Sequence, residues 1–113
     1  MNWKPVYALV KKIPRGRVMT YGQVGKALRL PGGARTAGRA MAACPSGLGV
    51  PWHRVVGAGG RLLIREPYAS LQRMLLETEG LALAEKRILD FKTYEWSPGK
   101  SRRGGSKKLK NRR

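Results

Sequence analysis

Residues 50–56 hold the side chains of this chain that are best suited to chemistry, because Trp52, His53 and Arg54 stand side by side between apolar neighbours. An imidazole such as His53 can act as a general base, although a lone histidine more often has a structural role. Trp52 offers a large aromatic surface that can stack on a nucleic-acid base, or it can be an ordinary core tryptophan. Whether these side chains have a functional or a structural role depends on which other residues the fold places beside them.

Two distant side chains bear on that choice. Glu79 ends a helical segment, where a negative charge opposes the helix dipole, so its presence is explained either by pairing with His53 or by plain solvent exposure. Cys44 is the single cysteine, and without a nearby base it is expected to be a small buried hydrophobe rather than a nucleophile. One cysteine and one histidine also argue against a disulfide and against a zinc cluster. We expect no metal and no cofactor.

The charge of the chain is +18, from 24 Lys and Arg against 6 Asp and Glu, and residues 1–65 contain no acid at all. Such a polycation favours DNA or RNA as a partner over an anionic membrane, since no basic amphipathic helix with an aromatic face stands out. No apolar run approaches the roughly 20 residues that cross a bilayer, and no secretory signal is seen. We therefore expect a cytoplasmic, nucleoid-associated location if the source is bacterial.

The elements before residue 50 are predicted from apolar periodicity and turn residues. Residues 3–13 repeat apolar positions at helical spacing. A second helix is expected from Tyr21 to about Leu30 with Thr20 as its N-cap, and a third over residues 34–43. The turn Pro31-Gly32-Gly33 separates these two, so together they form a candidate helix-turn-helix.

The third helix carries a face that suits nucleic acid. Arg35 and Arg39 are four residues apart and so share one side of the helix. Ala34, Thr36 and Gly38 lie on or beside that side, and small side chains let a helix backbone come close to another surface. Contact with DNA is favoured over the alternative of a solvated arginine face.

The elements after residue 54 are predicted to be smaller. Residues 55–56 are expected to pair with residues 61–64 in a hairpin or wing. An amphipathic helix is expected after Pro67, with Gly80 at its C-cap. Residues 81–96 alternate weakly and are expected to lie as an ordered strap over the domain.

The predicted fold class is mostly α with a small β-hairpin, built around a winged-helix-like helix-turn-helix. The predicted domain covers residues 1–97. Residues 98–113 mix basic residues with Gly and Ser and are expected to be a disordered cationic tail that contacts phosphates without specificity.

The run Pro51-Trp52-His53-Arg54-Val55 resembles the Pro-Cys-His-Arg-Val active-site motif of the O6-alkylguanine-DNA alkyltransferases, with tryptophan in the nucleophile's place. That replacement is typical of the alkyltransferase-like proteins. Residues 13–24 and 34–41 resemble the first motif helix and the recognition helix of the family, and Glu79 falls where the family has the carboxylate that supports its histidine. The resemblance spans residues 6–96 and implies the fold of the alkyltransferase C-terminal domain.

The resemblance also implies roles for individual residues. Arg35 would enter the base stack as a finger and fill the gap left by a flipped nucleotide. The helix face that would lie in the minor groove consists of Ala34, Thr36, Gly38 and Arg39. The pocket for the alkylated base would be formed by Tyr21, Met41, Trp52, Val55 and Arg65. The scaffold kept from a former active site would be Pro51, His53 and Glu79.

The function implied is that of a DNA-damage sensor without catalytic residues. It would act as a monomer on double-stranded DNA that contains O6-alkylguanine, flip the base, and hand the complex to nucleotide excision repair proteins. One alternative is an active alkyltransferase that uses Cys44, since transfer to protein needs a thiolate, which Trp52 cannot supply. The other is a helix-turn-helix regulatory or architectural protein.

Overall fold

Five helices, four short strands and two 3-10 turns make up the described part of the computed structural model, residues 2–44 and 49–98. The helices are α1 (Lys4–Lys11), α2 (Tyr21–Ala27), α3 (Ala34–Ala42), α4 (Tyr68–Thr78) and α5 (Phe91–Tyr94). The strands are β1 (Met19–Thr20), β2 (Val55–Val56), β3 (Leu83–Ala84) and β4 (Arg87–Ile88), and the 3-10 turns are Trp52–Arg54 and Ala58–Gly60. The predicted fold class is confirmed, while the predicted tail beyond residue 98 lies outside the described residues.

The helix-turn-helix forms as predicted, and its first helix begins at a capping box. The Thr20 hydroxyl accepts a hydrogen bond from the Gln23 N–H at 3.0 Å, and the Gln23 side chain accepts one from the Thr20 N–H at 2.8 Å. Helix α2 ends at Ala27, three residues before the predicted end, and Arg29 has a φ of +52°. The left-handed residue turns the chain back, so α3 begins at Ala34 as expected.

Two glycines let α2 and the turn before α3 pack backbone against backbone. A Cβ atom on Gly25 would lie 2.5 Å from the carbonyl carbon of Gly33, which is far closer than real contacts allow. Gly33 itself has a φ of +52°, a conformation that glycine adopts without penalty. The angle between the two helices therefore depends on the absence of a side chain at position 25.

The predicted hairpin of residues 55–56 with 61–64 is wrong. Strand β2 instead pairs in parallel with β1, with Met19 opposite Val55 and Thr20 opposite Val56. The chain does turn after β2, since the Gly57 N–H donates to the Arg61 carbonyl at 2.7 Å, but Arg61 then bridges Arg87. The small antiparallel hairpin of this fold is β3 with β4.

The strand pair β1–β2 lies between two apolar clusters because successive strand residues point to opposite faces. Met19 and Val55 pack into the cluster that joins α1, α2 and α3. Val18 and Val56 pack into the cluster that joins α4 to the β3–β4 hairpin. Two residues from each strand segment thus connect both halves of the core.

The chain after α4 crosses back over the fold as the predicted strap. Glu79 is the C-cap of α4, and Gly80, predicted as that cap, follows it with a φ of +99°. Beyond the hairpin, the Val18 N–H donates to the Tyr94 carbonyl at 2.9 Å and the Trp96 N–H donates to the Val18 carbonyl at 2.8 Å. Within the described residues, none of the helices has the length and apolar character to span a membrane.

Candidate functional site

A mostly apolar, open cavity of about 410 Å³ lies between α3 and the 3-10 turn of Trp52–Arg54. Its lining consists of Tyr21, Ala34, Arg35, Gly38, Met41, Ala42, Trp52, Leu63 and Ile64. Six of these were predicted as site residues, namely Tyr21, Ala34, Arg35, Gly38, Met41 and Trp52. Sequence reasoning did not include Ala42 in the site, and it missed Leu63 and Ile64 because it assigned them to a strand that does not form.

Trp52 forms one wall of the cavity and is partly buried. Its ring stands edge-on to two neighbours, with centroids 6.3 Å from His53 at 85° and 6.5 Å from Tyr68 at 86°. Perpendicular arrangements of this kind are favourable because a ring edge is positive and a ring face negative. Tyr68 was not predicted as a site residue, although it is the first residue of α4 and meets Trp52 directly.

Behind Trp52, Glu79 joins three parts of the chain. Its Oε2 lies 2.7 Å from His53 Nε2, as the resemblance implied, and also 2.7 Å from Arg54 Nη2. Its Oε1 accepts hydrogen bonds from Arg54 Nε at 3.0 Å and from the Gly16 N–H at 2.9 Å. Arg54 Nη1 also donates to the Ile13 carbonyl at 3.0 Å. The carboxylate thereby ties the 3-10 turn to α4 and to the turn that follows α1.

The charge of Glu79 is stabilised in place. Burial alone would raise the pKa of this carboxyl, whose side chain is 5% exposed, but hydrogen bonds from Arg54, Gly16 and His53 outweigh burial and hold the pKa at about 2. The carboxylate is therefore ionised at neutral pH. Its bond to Nε2 fixes the orientation of the imidazole.

The exposed side of α3 presents small residues and two cations. Ala34, Arg35 and Arg39 are exposed, and Arg35 reaches the cavity mouth. A Cβ on Gly38 would meet no atom within 4 Å, so no packing inside the protein requires glycine there. This surface suits the close approach of an anionic groove.

Three predicted site residues lie elsewhere than expected. Val55 is fully buried in β2, and Thr36 is turned inward, where its hydroxyl donates to the Pro31 carbonyl. Arg65 is exposed but does not line the cavity, and its carbonyl accepts the N–H of Tyr68 at 2.9 Å. The strand pairing and the short turn before α3, both set by tertiary contacts, draw Val55 and Thr36 into the core.

The cavity has no thiol in its lining. Cys44 packs against the α1–α3 cluster, where burial raises the pKa of its thiol despite the opposing effect of Lys11. A raised pKa leaves less of the nucleophilic thiolate at neutral pH. Among the described residues, no three His, Cys, Asp or Glu side chains come together in a way that could hold a metal ion. The site as built can hold a flat apolar group with the Arg35 guanidinium beside it.

Comparison with known proteins places this geometry among DNA-binding folds. The family described as 6-O-methylguanine DNA methyltransferase, DNA binding domain, matches residues 2–81. A DNA base-flipping protein of Vibrio parahaemolyticus is 33% identical over 93 residues, which cover 82% of this chain and 93% of that protein. Alkyltransferase-like protein 1 of Schizosaccharomyces pombe is 35% identical over 99 residues, covering 82% and 92%.

A solved structure repeats the architecture. The crystal structure of S. pombe Atl1 in complex with damaged DNA containing O6-carboxymethylguanine superposes with a TM-score of 0.76. The two sequences are 32% identical, and the match covers 85% of this chain and 94% of that one.

Proposed function

Because this chain belongs to the family of 6-O-methylguanine DNA methyltransferase DNA-binding domains, in its alkyltransferase-like branch, we propose that it is a sensor of O6-alkylguanine in double-stranded DNA. It binds the duplex through α3, turns the alkylated base out of the stack and holds it in the cavity beside Trp52. Flipping costs a few kcal/mol, and least for a badly paired base, so a damaged guanine is selected in part by how easily it leaves the helix.

One observation carries the proposal. Trp52 occupies the cavity wall where chemistry would need a nucleophile, while the His53–Glu79 pair behind it is intact at 2.7 Å. A binding site that kept its scaffold and has an aromatic wall can retain a base but cannot accept an alkyl group from it. The names of the relatives, a base-flipping protein and an alkyltransferase-like protein, agree with binding as the activity.

The proposal assigns each part of the site a task. Arg35, at the cavity mouth, enters the base stack and fills the space of the flipped nucleotide. Ala34, Gly38 and Arg39 lie along the minor groove, where exposed small residues permit close approach. Tyr21 and Met41 line the pocket with Trp52, and Tyr21 helps rotate the nucleotide by crowding its phosphate.

Arg65 keeps its proposed role as a contact to the alkylated base. Its side chain is exposed, and the neighbouring carboxylate of Glu66 accepts a hydrogen bond from the Ser70 N–H at 3.0 Å. Among the ion pairs of the described residues, none joins Glu66 to Arg65. The guanidinium therefore remains available to reach a ligand at the cavity mouth.

The proposed sensor is not an enzyme. Transfer of an alkyl group to protein needs a thiolate activated by a nearby base, and the single cysteine lies outside the cavity lining with its pKa raised. His53 and Glu79 then serve as a hydrogen-bonded support for the turn that carries Trp52.

The deciding experiment compares two duplexes of one sequence, with and without O6-methylguanine. Tighter binding of the damaged duplex, with quenching of tryptophan emission as a base stacks on Trp52, is the expected result. Equal affinity for both duplexes would favour a regulatory or architectural protein instead. A parallel incubation uses a labelled O6-methyl group, and label recovered on the protein would establish an alkyltransferase.

The proposal extends to the fate of the complex. A lesion that is held but not repaired has to be passed on, and the resemblance points to nucleotide excision repair as the receiver. Addition of this chain should accelerate incision of a duplex with O6-methylguanine by purified excision-repair proteins. Incision that stays the same or slows would restrict the chain to lesion binding.

A further inference from the structure

One face of α4 holds the turn that carries Trp52 at three separate points. Tyr68, Gln72 and Glu79 stand four and seven residues apart, which places them on the same side of a helix. Tyr68 meets the Trp52 ring, and Glu79 binds the side chains of His53 and Arg54. Gln72, between them, binds the backbone of the turn.

Gln72 is 1% exposed, and its Nε2 donates to the carbonyl of His53 at 3.1 Å and to that of Val55 at 3.0 Å. Both protons of the amide are used in these two bonds. In the flipped orientation the amide oxygen would face the two carbonyl oxygens, and all three are acceptors, so the flipped orientation is excluded. Its Oε1 is buried and has no hydrogen-bond partner among the described residues. Burying such an oxygen costs stability, which makes the two bonds to the turn the reason for glutamine at this position.

The turn itself has little internal support. It is a 3-10 segment of three residues, closed by two backbone hydrogen bonds, from the Arg54 N–H to the Pro51 carbonyl at 3.0 Å and from the Val55 N–H to the Trp52 carbonyl. Hydrogen bonds of this type are poorer than those of an α-helix, and short segments depend on their surroundings. The position of the Trp52 ring is therefore set by contacts from outside the turn.

Tyr68 supplies the contact at the ring. It is 55% exposed, yet its ring is perpendicular to that of Trp52 at a centroid distance of 6.5 Å. A tyrosine this exposed adds little to the core, and its described aromatic neighbour is the cavity wall.

We propose that Gln72 and Tyr68 are positioning residues that fix the Trp52 ring at the cavity wall, and that this fixed wall determines how well the cavity separates alkylated guanine from guanine. The inference rests on the proposed function for its second half. A binding wall contributes fully only when it is ordered before the ligand arrives.

The first test needs no DNA. Protein labelled with 5-fluorotryptophan gives fluorine resonances from Trp3, Trp52 and Trp96, and Trp52→Phe assigns the one of interest. Gln72→Met keeps the volume and removes both donors, while Tyr68→Ala removes the ring. Each variant should broaden or shift the Trp52 resonance and leave the other two in place, and Tyr68→Phe should restore the native signal.

The second test measures lesion preference, the ratio of affinities for duplexes with and without O6-methylguanine. Gln72→Met and Tyr68→Ala should each lower that ratio by about tenfold, equivalent to about 1.4 kcal/mol, with affinity for the undamaged duplex unchanged. Met74→Ala, an exposed position on the same helix, is the matched control and should behave as the native protein.

An unchanged Trp52 resonance in a folded Gln72→Met or Tyr68→Ala protein would overturn the proposal. Affinity that falls equally for both duplexes would overturn it as well. Should Gln72→Met fail to fold, the exposed Tyr68→Ala decides alone. If native protein shows no lesion preference, the proposed function fails. The fluorine resonance of Trp52 still tests whether Gln72 and Tyr68 position its ring.

Discussion

Trp52 has no atom that can take up an alkyl group, yet it stands among the groups that such a reaction would use. The position of Glu79 at the end of a helix left its pairing with His53 open beside plain solvent exposure, and the resemblance to the alkyltransferase motif favoured the pairing. The role of Arg54 could not be predicted from the sequence, since its bonds to Glu79 and to the Ile13 carbonyl depend on how three distant segments meet.

Glu79 makes stability dependent on pH in the acid range. Its pKa in the folded protein, about 2, lies below the ordinary value of 4.5, so its contribution is complete above about pH 5 and is lost as the pH falls towards 2. The full contribution is about 3 kcal/mol by the conversion between pKa and free energy. Urea unfolding of the native protein and of Glu79→Gln across this range should show it.

The difference in unfolding free energy between the two proteins is the quantity to follow. It should be largest near pH 6 and should shrink towards zero near pH 2, since a protonated glutamic acid resembles glutamine. A difference that stays constant with pH would show that the Glu79 carboxyl keeps the same pKa on unfolding.

Arg35 and Arg39 share a helix face, but replacing each of them should affect DNA binding differently. Arg35→Ala should weaken lesion binding by about tenfold or more and suppress base flipping, because nothing then offsets the cost of a few kcal/mol for unstacking. Arg39→Ala should weaken damaged and undamaged duplexes alike, as expected for a phosphate contact. A fluorescent base analogue beside the lesion reports flipping, and flipping that persists in Arg35→Ala would remove the finger assignment.

Among the elements, the pair α2–α3 depends on one close backbone approach. Gly25→Ala places a Cβ 2.5 Å from the Gly33 carbonyl carbon and should destabilise the protein by about 1–3 kcal/mol, the usual cost of overpacking. Gly22→Ala is the matched control in the same helix, because its Cβ meets nothing closer than 3.7 Å. That variant should be neutral or more stable by up to about 1 kcal/mol, and thermal unfolding of both tests the contrast.

Gly38 should separate stability from binding. Alanine there meets no atom of the protein within 4 Å and improves helix propensity, so the variant should be more stable by about 0.5–1 kcal/mol. Its affinity for DNA should nevertheless fall, because the added methyl group stands where the groove approaches α3. Calorimetry and a DNA titration on the same sample provide both values, and unchanged affinity would move the interface away from this face.

The helices were predictable and the strand pairing was not, for a physical reason. Periodicity, the Thr20 cap and the Pro31-Gly32-Gly33 turn are local signals, and they placed α1 to α4 within a few residues. Strand β2 finds its partner β1 across the whole helix-turn-helix, and no local signal records a parallel pairing of two residues. The glycines after Val56 suggested a hairpin that the longer-range pairing displaced.

Charge divides the whole molecule along the chain. Residues 1–65 carry all of the side chains predicted to contact the groove or the flipped base, and no acid, whereas residues 66–98 hold six acids and four basic residues. A strongly basic half next to a nearly neutral half orients the protein as it approaches a polyanion.

The eight lysines and arginines of residues 99–113 should add affinity without adding selectivity. Deleting these residues should reduce the salt slope of DNA binding by up to about 7, since each neutralised phosphate contributes roughly 0.9. Lesion preference should stay the same, because the cavity is untouched. Titrations at several salt concentrations measure both, and an unaltered slope would mean that this segment makes no phosphate contact.

The parallel pairing of β1 with β2 has a consequence for protein engineering. Because Thr20 and Val56 are neighbours, the chain that carries α2, α3 and the turn of Trp52–Arg54 leaves the strand pair and returns to it at one place. Residues 21–54 therefore form one continuous segment that is held at each end by two strand residues. A segment from a related chain, grafted between these strands in place of residues 21–54, would exchange the groove contacts and the Trp52 wall together, while the α4 support remains in place.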